Sequence, residues 1–430
     1  MTAMQGQGQS ALRALLVGVQ IAEESAEQVY ALLEELAELV GNLGITVAYR
    51  ESVRIRKPRA ASLIGSGRMH AIIEAAQQYR SDGIIFDAEL SPAQQRNWER
   101  ASGLWVIDRQ EVILDIFARR AQTKEATLQV ELARLEYSLP RLKRAWTHLS
   151  RQRGGSSTQR GEGERQIELD ARIIRDRIAR LKRDLNTVAK RRAVQRKQRL
   201  KVPTPTAAIV GYTNAGKSSL LNHLTQAEVL VADKRFATLD PTTRRLTLPD
   251  GQTVLLTDTV GFLRRLPHRL IDAFKATLEE TRTAQFLIHV LDITNPEVEQ
   301  HRATTLEVLR EIGAYDRPIL TVYNKIDLLS HSERAHSPIV LPRAGADSCL
   351  VSTETGEGIS ILIEHIQHQL EDRECTLELL IPHNRYELIA QLHRHGRILW
   401  QKPQAKGVRL RAHLLKAMAK RFMPFVQRMD

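Results

Sequence analysis

The sequence predicts a multidomain α/β protein: an N-terminal α/β domain, an antiparallel helical hairpin, a P-loop domain on a mostly parallel sheet, and a small C-terminal α+β domain. Three observations predict it. Apolar strand-like runs alternate with amphipathic helical stretches in two separate regions. Between those regions, two long runs keep strict helical spacing. At 430 residues the chain is also too long for a single core. The boundaries read as 1–120, 121–195, a basic linker at 196–205, then 206–372 and 373–430.

In the first region "ALLVGV" reads as a strand, a helix follows from Glu24 to Val40, and "GITVAY" is the next strand. "GSG" at 65–67 opens a helix. Lacking a third glycine it is no dinucleotide fingerprint, which leaves an anion site or a tight strand-to-helix turn. "GIIFD" precedes "SPAQQRNWER", where Ser91 is placed to cap the helix and Pro92 to occupy its first position. "LWVID" then leads into "RQEVILDIFARR".

The hairpin is read from two seams. Leu128, Leu132, Leu135, Leu139, Leu142, Trp146 and Leu149 step by alternating fours and threes, as do Ile167, Ala171, Ile174, Ile178, Leu181, Leu185 and Val188. Pro140 is expected to kink the first arm. The stretch "RQRGGSSTQRGEGER" (Arg151–Arg165) between the seams is the expected exposed tip, longer than the two to five residues a turn needs. The net charge of +13 is located here: Arg141 to Lys201 holds 20 Lys or Arg against 6 Asp or Glu. A polyanion contact accounts for that excess better than a solvated face does, because each cation set on a phosphate releases condensed counterion. Arg151, Arg153, Arg160 and Arg165 are the candidate contacts. Glu162 and Glu164 are read as helping to start the second helix.

Composition excludes several classes. No run is long enough to span a bilayer. The apolar "ALRALLVGVQI" has neither basic leader nor cleavage site and reads as a buried strand. Cys349 and Cys375 form no metal spacing, and the 14 histidines are scattered, so a reducing cytoplasm and no structural metal are expected.

The third region carries the chemistry. "AAIVGYTNAGKSSLLNHL" is a strand, G-x-x-x-x-G-K-S, and a helix. Gly211 and Gly216 let backbone amides of Tyr212, Thr213, Asn214 and Ala215 wrap close to phosphate oxygens, at the positive end of the helix. Lys217 reaches the β and γ phosphates and the Ser218 hydroxyl takes Mg²⁺. "VLLTDTVGF" ends a strand in Asp258, placed to support Mg²⁺ through water. After it come Thr259, Val260 and Gly261, whose amide faces a γ phosphate. "ILTVYNKID" ends another strand in Asn324, Lys325, Ile326 and Asp327. An aspartate there accepts two hydrogen bonds from guanine that adenine cannot offer. "LVSTETGEG" brings Ser352, Thr353 and Glu354 near the base. Together these describe a GTPase domain. Phe262 stands where many GTPases place a water-orienting glutamine, so no catalytic residue is assigned.

Beyond these elements the sequence resembles the HflX-type GTPases over nearly its whole length. "LIGSGRMHAI", "FDAELSPAQQRNWE", "VIDRQEVILDIFARRAQTKEATLQVELARLEYSLPRL" and "FATLDPTTRRL" are all similar to long motifs of that family. The resemblance implies GTP hydrolysis to GDP and phosphate, Mg²⁺ as cofactor with K⁺ near Asn214, and a cytoplasmic monomer. It implies binding to the large (50S) ribosomal subunit and its rRNA, and splitting or rescue of idle or stalled 70S ribosomes in the nucleotide-bound state. The helical hairpin would reach toward the peptidyl-transferase region. Phe236, Ala237, Thr238, Leu239 and Asp240 are carried over as nucleotide contacts, with Thr238 completing the Mg²⁺ shell. The tip departs from the family pattern. Ser157 replaces a glycine, Gln159 precedes the arginine, and Glu162 replaces a proline. The usual S-A-K near the base is "STE", a largely backbone contact that Thr353 preserves. The alternative function is a GTP-dependent rRNA-binding ribosome assembly factor without splitting activity. An ATP-driven RNA remodeller is disfavoured by "NKID".

Overall fold

A computed structural model of the chain describes residues 12–21, 24–145, 158–199, 204–225, 241–264, 275–329, 347–371, 374–415, 419 and 421–427. Phe236, Ala237, Thr238, Leu239, Asp240, Arg151 and Arg153 lie outside the described residues. The chain forms two compact units. One contains Met1–Thr187, the other Val188–Ala232, Pro241–Arg264 and Ala276–Asp430.

The first unit begins with a four-stranded parallel sheet of β1 (Arg13–Ile21), β2 (Thr46–Ile55), β3 (Gly83–Phe86) and β4 (Trp105–Asp108), in the order β2-β1-β3-β4. Its inner strands are continuous apolar runs because both faces are covered: Ala14 through Val17 and Ile84 through Phe86 are all fully buried. Helices α1 (Ala26–Asn42), α2 (Ser66–Gln78), α3 (Pro92–Ser102) and α4 (Arg109–Arg120) connect and follow the strands. Their starts are written in short side chains. Ser25 with Gln28, and Ser91 with Gln94, form reciprocal capping boxes, and Pro92 opens α3. Gly65 is the N-cap of α2 at a φ of −68° with no side-chain cap, ten residues after β2 ends at Ile55. Asp108 caps α4 by accepting from the Glu111 amide at 3.0 Å.

Two long helices follow, α5 (Lys124–Ala145) and α6 (Thr158–Arg199), the latter within this unit through Thr187. Two expectations are corrected here. The tip is shorter than Arg151–Arg165, since α6 already runs at Thr158. Arg160, Glu162, Glu164 and Arg165 are therefore helical, and the helix continues past residue 195 to Arg199. Gly161 and Gly163 cost about 1 kcal/mol each against alanine inside a helix, too little to stop one this long. The second correction concerns α5. Its deepest stripe is Ala126, Val130, Ala133 and Tyr137, which packs against α3 and α4, while Leu128, Leu132, Leu135 and Leu139 are half-buried. On α6 the expected seam is the inward one: Ala171 and Leu181 are buried, Ile174, Ile178 and Leu185 half-buried. Arg177 pairs with Glu131 at 2.7 Å and Lys182 with Glu136 at 2.8 Å, joining the two helices. Helix α5 runs on through Pro140 to Ala145.

In the second unit a six-stranded sheet has the order β10-β9-β8-β5-β7-β6, from β5 (Thr206–Gly211), β6 (Thr242–Thr247), β7 (Thr253–Asp258), β8 (Phe286–Asp292), β9 (Ile319–Asn324) and β10 (Ser348–Leu350). All neighbours are parallel except β6, which runs antiparallel to β7 at the edge. Helices α7 (Lys217–Thr225), α8 (Lys275–Thr283), α9 (Val298–Glu311) and α10 (Ile359–Glu371) complete the domain. Ile209, Leu220, Leu256, Ile288, Val290, Val322 and Leu362 lie in one buried cluster. Strands β5, β7 and β9 end in Gly211, Asp258 and Asn324, at the carboxyl edge where open α/β sheets receive ligands.

The chain ends in a three-stranded antiparallel sheet of β11 (Glu374–Ile381), β12 (Arg397–Gln404) and β13 (Gly407–Leu415), in the order β11-β13-β12, with helix α11 (Tyr386–His395). One face packs Leu379, Ile381, Leu410 and Leu414 against Leu388 and Leu392 of α11 and against Phe422. Among the described residues, no helix is long and apolar enough to cross a membrane.

Candidate nucleotide site

The carboxyl edge of the six-stranded sheet gathers those of the singled-out residues that belong to its strand ends and following loops and are described, Phe236 to Asp240 not being among them. The loop between β5 and α7 is a turn that only its glycines permit. Gly211 has a φ of +149°, and a Cβ there would sit 2.2 Å from the Val290 carbonyl oxygen. Gly216 has a φ of +93°, and its Cβ would fall 2.1 Å from Asn324 Nδ2. Asn214 holds a φ of +63° between them, the left-handed region that Asn tolerates best after Gly.

Lys217, the first residue of α7, is buried, and its Nζ donates to the Tyr212 carbonyl at 2.7 Å. The ammonium therefore closes the loop on itself. Burial lowers its pKa to about 8, against a smaller opposing pull from the Asp258 carboxylate. Ser218 Oγ donates to Asp258 Oδ2 at 2.6 Å. A hydroxyl and a carboxylate in contact at a phosphate loop are hard oxygen donors, the set that suits Mg²⁺. Thr259 is turned away from this pair and donates to the Ile209 carbonyl at 2.6 Å.

The base-side residues are tied to the same loop. Asn324 is fully buried, donates from Nδ2 to the Ala215 carbonyl at 3.0 Å, and accepts from the Thr353 amide at 3.1 Å. Lys325 sits at a φ of +68° with its Nζ 2.7 Å from Asp292 Oδ2. Ile326 is buried with Leu291 and Tyr323. Asp327 accepts from Ser352 Oγ at 2.6 Å, and Ser352 Oγ in turn accepts from the Glu354 amide at 3.2 Å. The carboxylate is thereby oriented by a hydroxyl that is itself held by backbone.

Phe262 is 2% exposed, so its side chain belongs to the core. Its backbone pairs with the phosphate loop: Phe262 N–H donates to the Gly211 carbonyl at 3.0 Å, and Thr213 N–H donates to the Phe262 carbonyl at 2.9 Å. Gly261 is pressed against that loop, where an added Cβ would lie 2.8 Å from Thr213 Cα. Val260 is buried beside it.

Sequence reasoning missed two things. The Tyr212 ring stacks on His301 of α9 at 3.7 Å between centroids and 4° between planes, and its hydroxyl accepts from the Arg264 amide at 2.9 Å. Arg264 forms a two-pronged pair with Glu297 at 2.9 and 2.8 Å. The residue after Gly211 thus anchors the segment that follows Asp258. The other is His289 on β8, 1% exposed, with neither ring nitrogen hydrogen-bonded among the described residues. Burial, then Arg302 and Lys217, lowers its pKa to about 3. An odd polar residue inside "FLIHVLD" was the available signal. Among the described residues, no cluster of three His, Cys, Asp or Glu side chains is arranged to hold a metal.

The chain matches known proteins over most of its length. Family models described as "GTP-binding GTPase N-terminal", "GTP-binding GTPase Middle Region" and "50S ribosome-binding GTPase" match residues 31–118, 120–199 and 206–325. The GTPase HflX of Akkermansia muciniphila is 47% identical over 422 residues, covering 96% of this chain and 97% of that protein. The GTPase HflX of Escherichia coli strain K12 is 40% identical over 356 residues, covering 81% and 82%. A crystal structure of a GTP-binding protein from Sulfolobus solfataricus in complex with GDP aligns at 26% identity and a TM-score of 0.42, over 83% of this chain and 98% of that one.

Proposed function

The chain belongs to the HflX family of GTPases, and we propose that it hydrolyses GTP as a factor of the large ribosomal subunit, splitting or rescuing idle and stalled 70S ribosomes. The observation that carries the reading is that Lys217, Ser218, Asp258, Asn324 and Asp327 share one sheet edge in a chain that also has family-specific N-terminal and middle regions. The family model matching residues 206–325 is described as a 50S ribosome-binding GTPase, and the long basic α6 supplies cations suited to rRNA.

In this reading the amides of Tyr212 to Gly216 cradle the phosphates, and Lys217 leaves the Tyr212 carbonyl to meet them. Ser218, Thr238 and, through water, Asp258 hold Mg²⁺, which draws charge from the phosphate oxygens when bound. Phe236 to Asp240, carried over from the family pattern, are nucleotide contacts in this reading. Asp327, positioned by Ser352, reads the guanine edge, while Lys325, Ile326, Thr353 and Glu354 line its pocket. The catalytic group that Phe262 lacks comes from the ribosome, from backbone groups or from K⁺ near Asn214. Arg151, Arg153, Arg160 and Arg165 contact rRNA in this reading. The protein works as a monomer in the cytoplasm.

Sedimentation of purified 70S ribosomes with the protein and GTP tests the proposal. Splitting yields free subunits. Intact 70S particles, with the protein found only on large-subunit precursors, would support the assembly-factor alternative instead.

A further inference from the structure

The basic charge of this chain is not confined to the hairpin and linker. Residues 374–430 contain 11 Lys or Arg and 4 Asp or Glu, a local charge of +7 that the total hides because the regions between are acidic. This charge falls on the small C-terminal domain, and its sheet divides it into two unlike faces. Alternation along β13 puts Val408, Leu410, Ala412 and Leu414 into the core beneath α11. Arg409 and Arg411 therefore stand on the opposite face. That assignment is fixed by Glu378 of β11, which faces Arg411 in register and is ion-paired with Arg409 through Nη2 at 2.5 Å. On the other flank of β13, Trp400 lies opposite Arg411 and Lys402 opposite Arg409. The pairing shifts between Ile398 and Trp400, so Ile398 still packs into the core while Trp400 comes to the outer face beside Arg411. Leu399 is 46% exposed as a result.

The outer face thus includes the cross-strand rows Glu378–Arg411–Trp400 and Leu380–Arg409–Lys402. Arg411 and Lys402 are exposed and Trp400 is half-buried. Glu378 is the acidic member, and its charge is answered by Arg409. A merely solvated sheet face mixes charges of both signs and has no need of a tryptophan. An indole flanked by cations on an open antiparallel sheet is the arrangement that stacks an unpaired base while its neighbours take the adjoining phosphates.

We propose that the outer face of the β11-β13-β12 sheet is an RNA-binding surface for a single-stranded or looped RNA segment, with Trp400 stacking a base and Arg411 and Lys402 holding phosphates. This deepens the ribosomal reading given above, and rests on it for the source of the RNA. It adds a second contact, on a different domain from the helical pair.

The test uses the full chain and a fluorescein-labelled unstructured 20-nucleotide RNA, followed by anisotropy across a salt series. The Arg411→Ala, Lys402→Ala double variant is expected to bind about tenfold more weakly, and its log–log salt slope to fall by about 1.4, the value for two phosphate contacts on a single strand. Trp400→Ala is expected to weaken binding several-fold with the salt slope unchanged, and Trp400→Phe to restore most of the loss. Thermal melting of each variant separates a lost contact from a lost fold, and Arg411→Lys with Lys402→Arg, which keep the charge, should bind as the native chain does. RNA affinity and slope unaltered in the alanine variants would overturn the proposal and leave RNA binding to the helical pair. Absence of RNA binding by the native chain would overturn it as well. GTP turnover stimulated by large subunits is read in parallel. Its absence counts against the ribosomal reading, while its presence with unaltered RNA affinity counts against this surface alone.

Discussion

Lys217 is charged in a place that penalises charge. Its pKa near 8 follows from burial, and its ammonium is held by a single carbonyl, Tyr212 O. Phosphates arriving beside it must raise that pKa again, so nucleotide binding should take up a proton near pH 8–9. Calorimetry of GTP binding in buffers of different ionisation enthalpy reads this directly, and affinity should fall as pH rises above 8. Lys217→Ala should abolish both binding and proton uptake without unfolding the domain. Asp327 makes a different prediction. Asp327→Asn should weaken GTP and admit xanthosine triphosphate, because the new amide meets a carbonyl on the base edge; GTP affinity that barely moves would remove "NKID" from the base pocket. His289 is the contrary case, a buried imidazole with no hydrogen-bond partner among the described residues. Its pKa of about 3 lies below the unfolded value, so the unfolded chain takes up the proton first and stability falls as pH drops below about 6.5. His289→Leu should remove that acid limb and stabilise the domain by roughly 1 kcal/mol, the usual cost of one unsatisfied polar group. Chemical denaturation at pH 5 and pH 7 checks both.

At the scale of elements, the strands and caps were legible because each is a local signal. Ser91 and Pro92 announce α3, and continuous apolar runs announce strands covered on both faces. Helix α5 was half legible. Its leucine seam has the spacing of a helical pair, but three of the four residues in the deeper stripe, Ala126, Ala133 and Tyr137, are small or polar-tipped and hydropathy undervalues them beside Val130. That stripe ends in a polar fastening. Tyr137 donates to Asp108 at 2.9 Å, and Arg141 lies 3.4 Å over the Tyr137 ring while reaching the Leu90 carbonyl at 2.8 Å and Gln95 at 2.8 Å. Such a network joins residues dozens of positions apart, which no window of sequence displays. Glu111 belongs to it, and burial, with Asp108 and Asp115 adding repulsion, raises its pKa to about 7. The folded chain therefore binds the extra proton between about pH 4.5 and pH 7, and stability should fall as pH rises through that window. Glu111→Gln should flatten the fall and stabilise the protein at pH 8 by on the order of 1–3 kcal/mol, seen as a higher melting temperature at pH 8 and little change at pH 5.

For the whole molecule, the site was more legible than its surroundings. Phosphate loop, Asp258 and "NKID" are short motifs whose spacing is dictated by a ligand, so they read directly from the chain. What links them, Asn324 bridging Ala215 and Thr353, or Tyr212 clamping Arg264 against α9, depends on tertiary packing and had no such signature. Charge was misleading at this scale for a simple reason: a sum over the residues outside the hairpin cancels a basic C-terminal domain against acidic neighbours. Phe262 joins the levels. Its side chain is committed to the core and its backbone to the phosphate loop, so it cannot orient an attacking water. The account therefore requires slow hydrolysis in isolation and a partner that completes the site. GTP turnover by the purified protein, measured with and without purified large ribosomal subunits, tests this most directly. The account predicts a slow basal rate raised by about 10³-fold or more on the subunit, the range known for groups supplied by a partner. A fast basal rate that large subunits leave unchanged would contradict it.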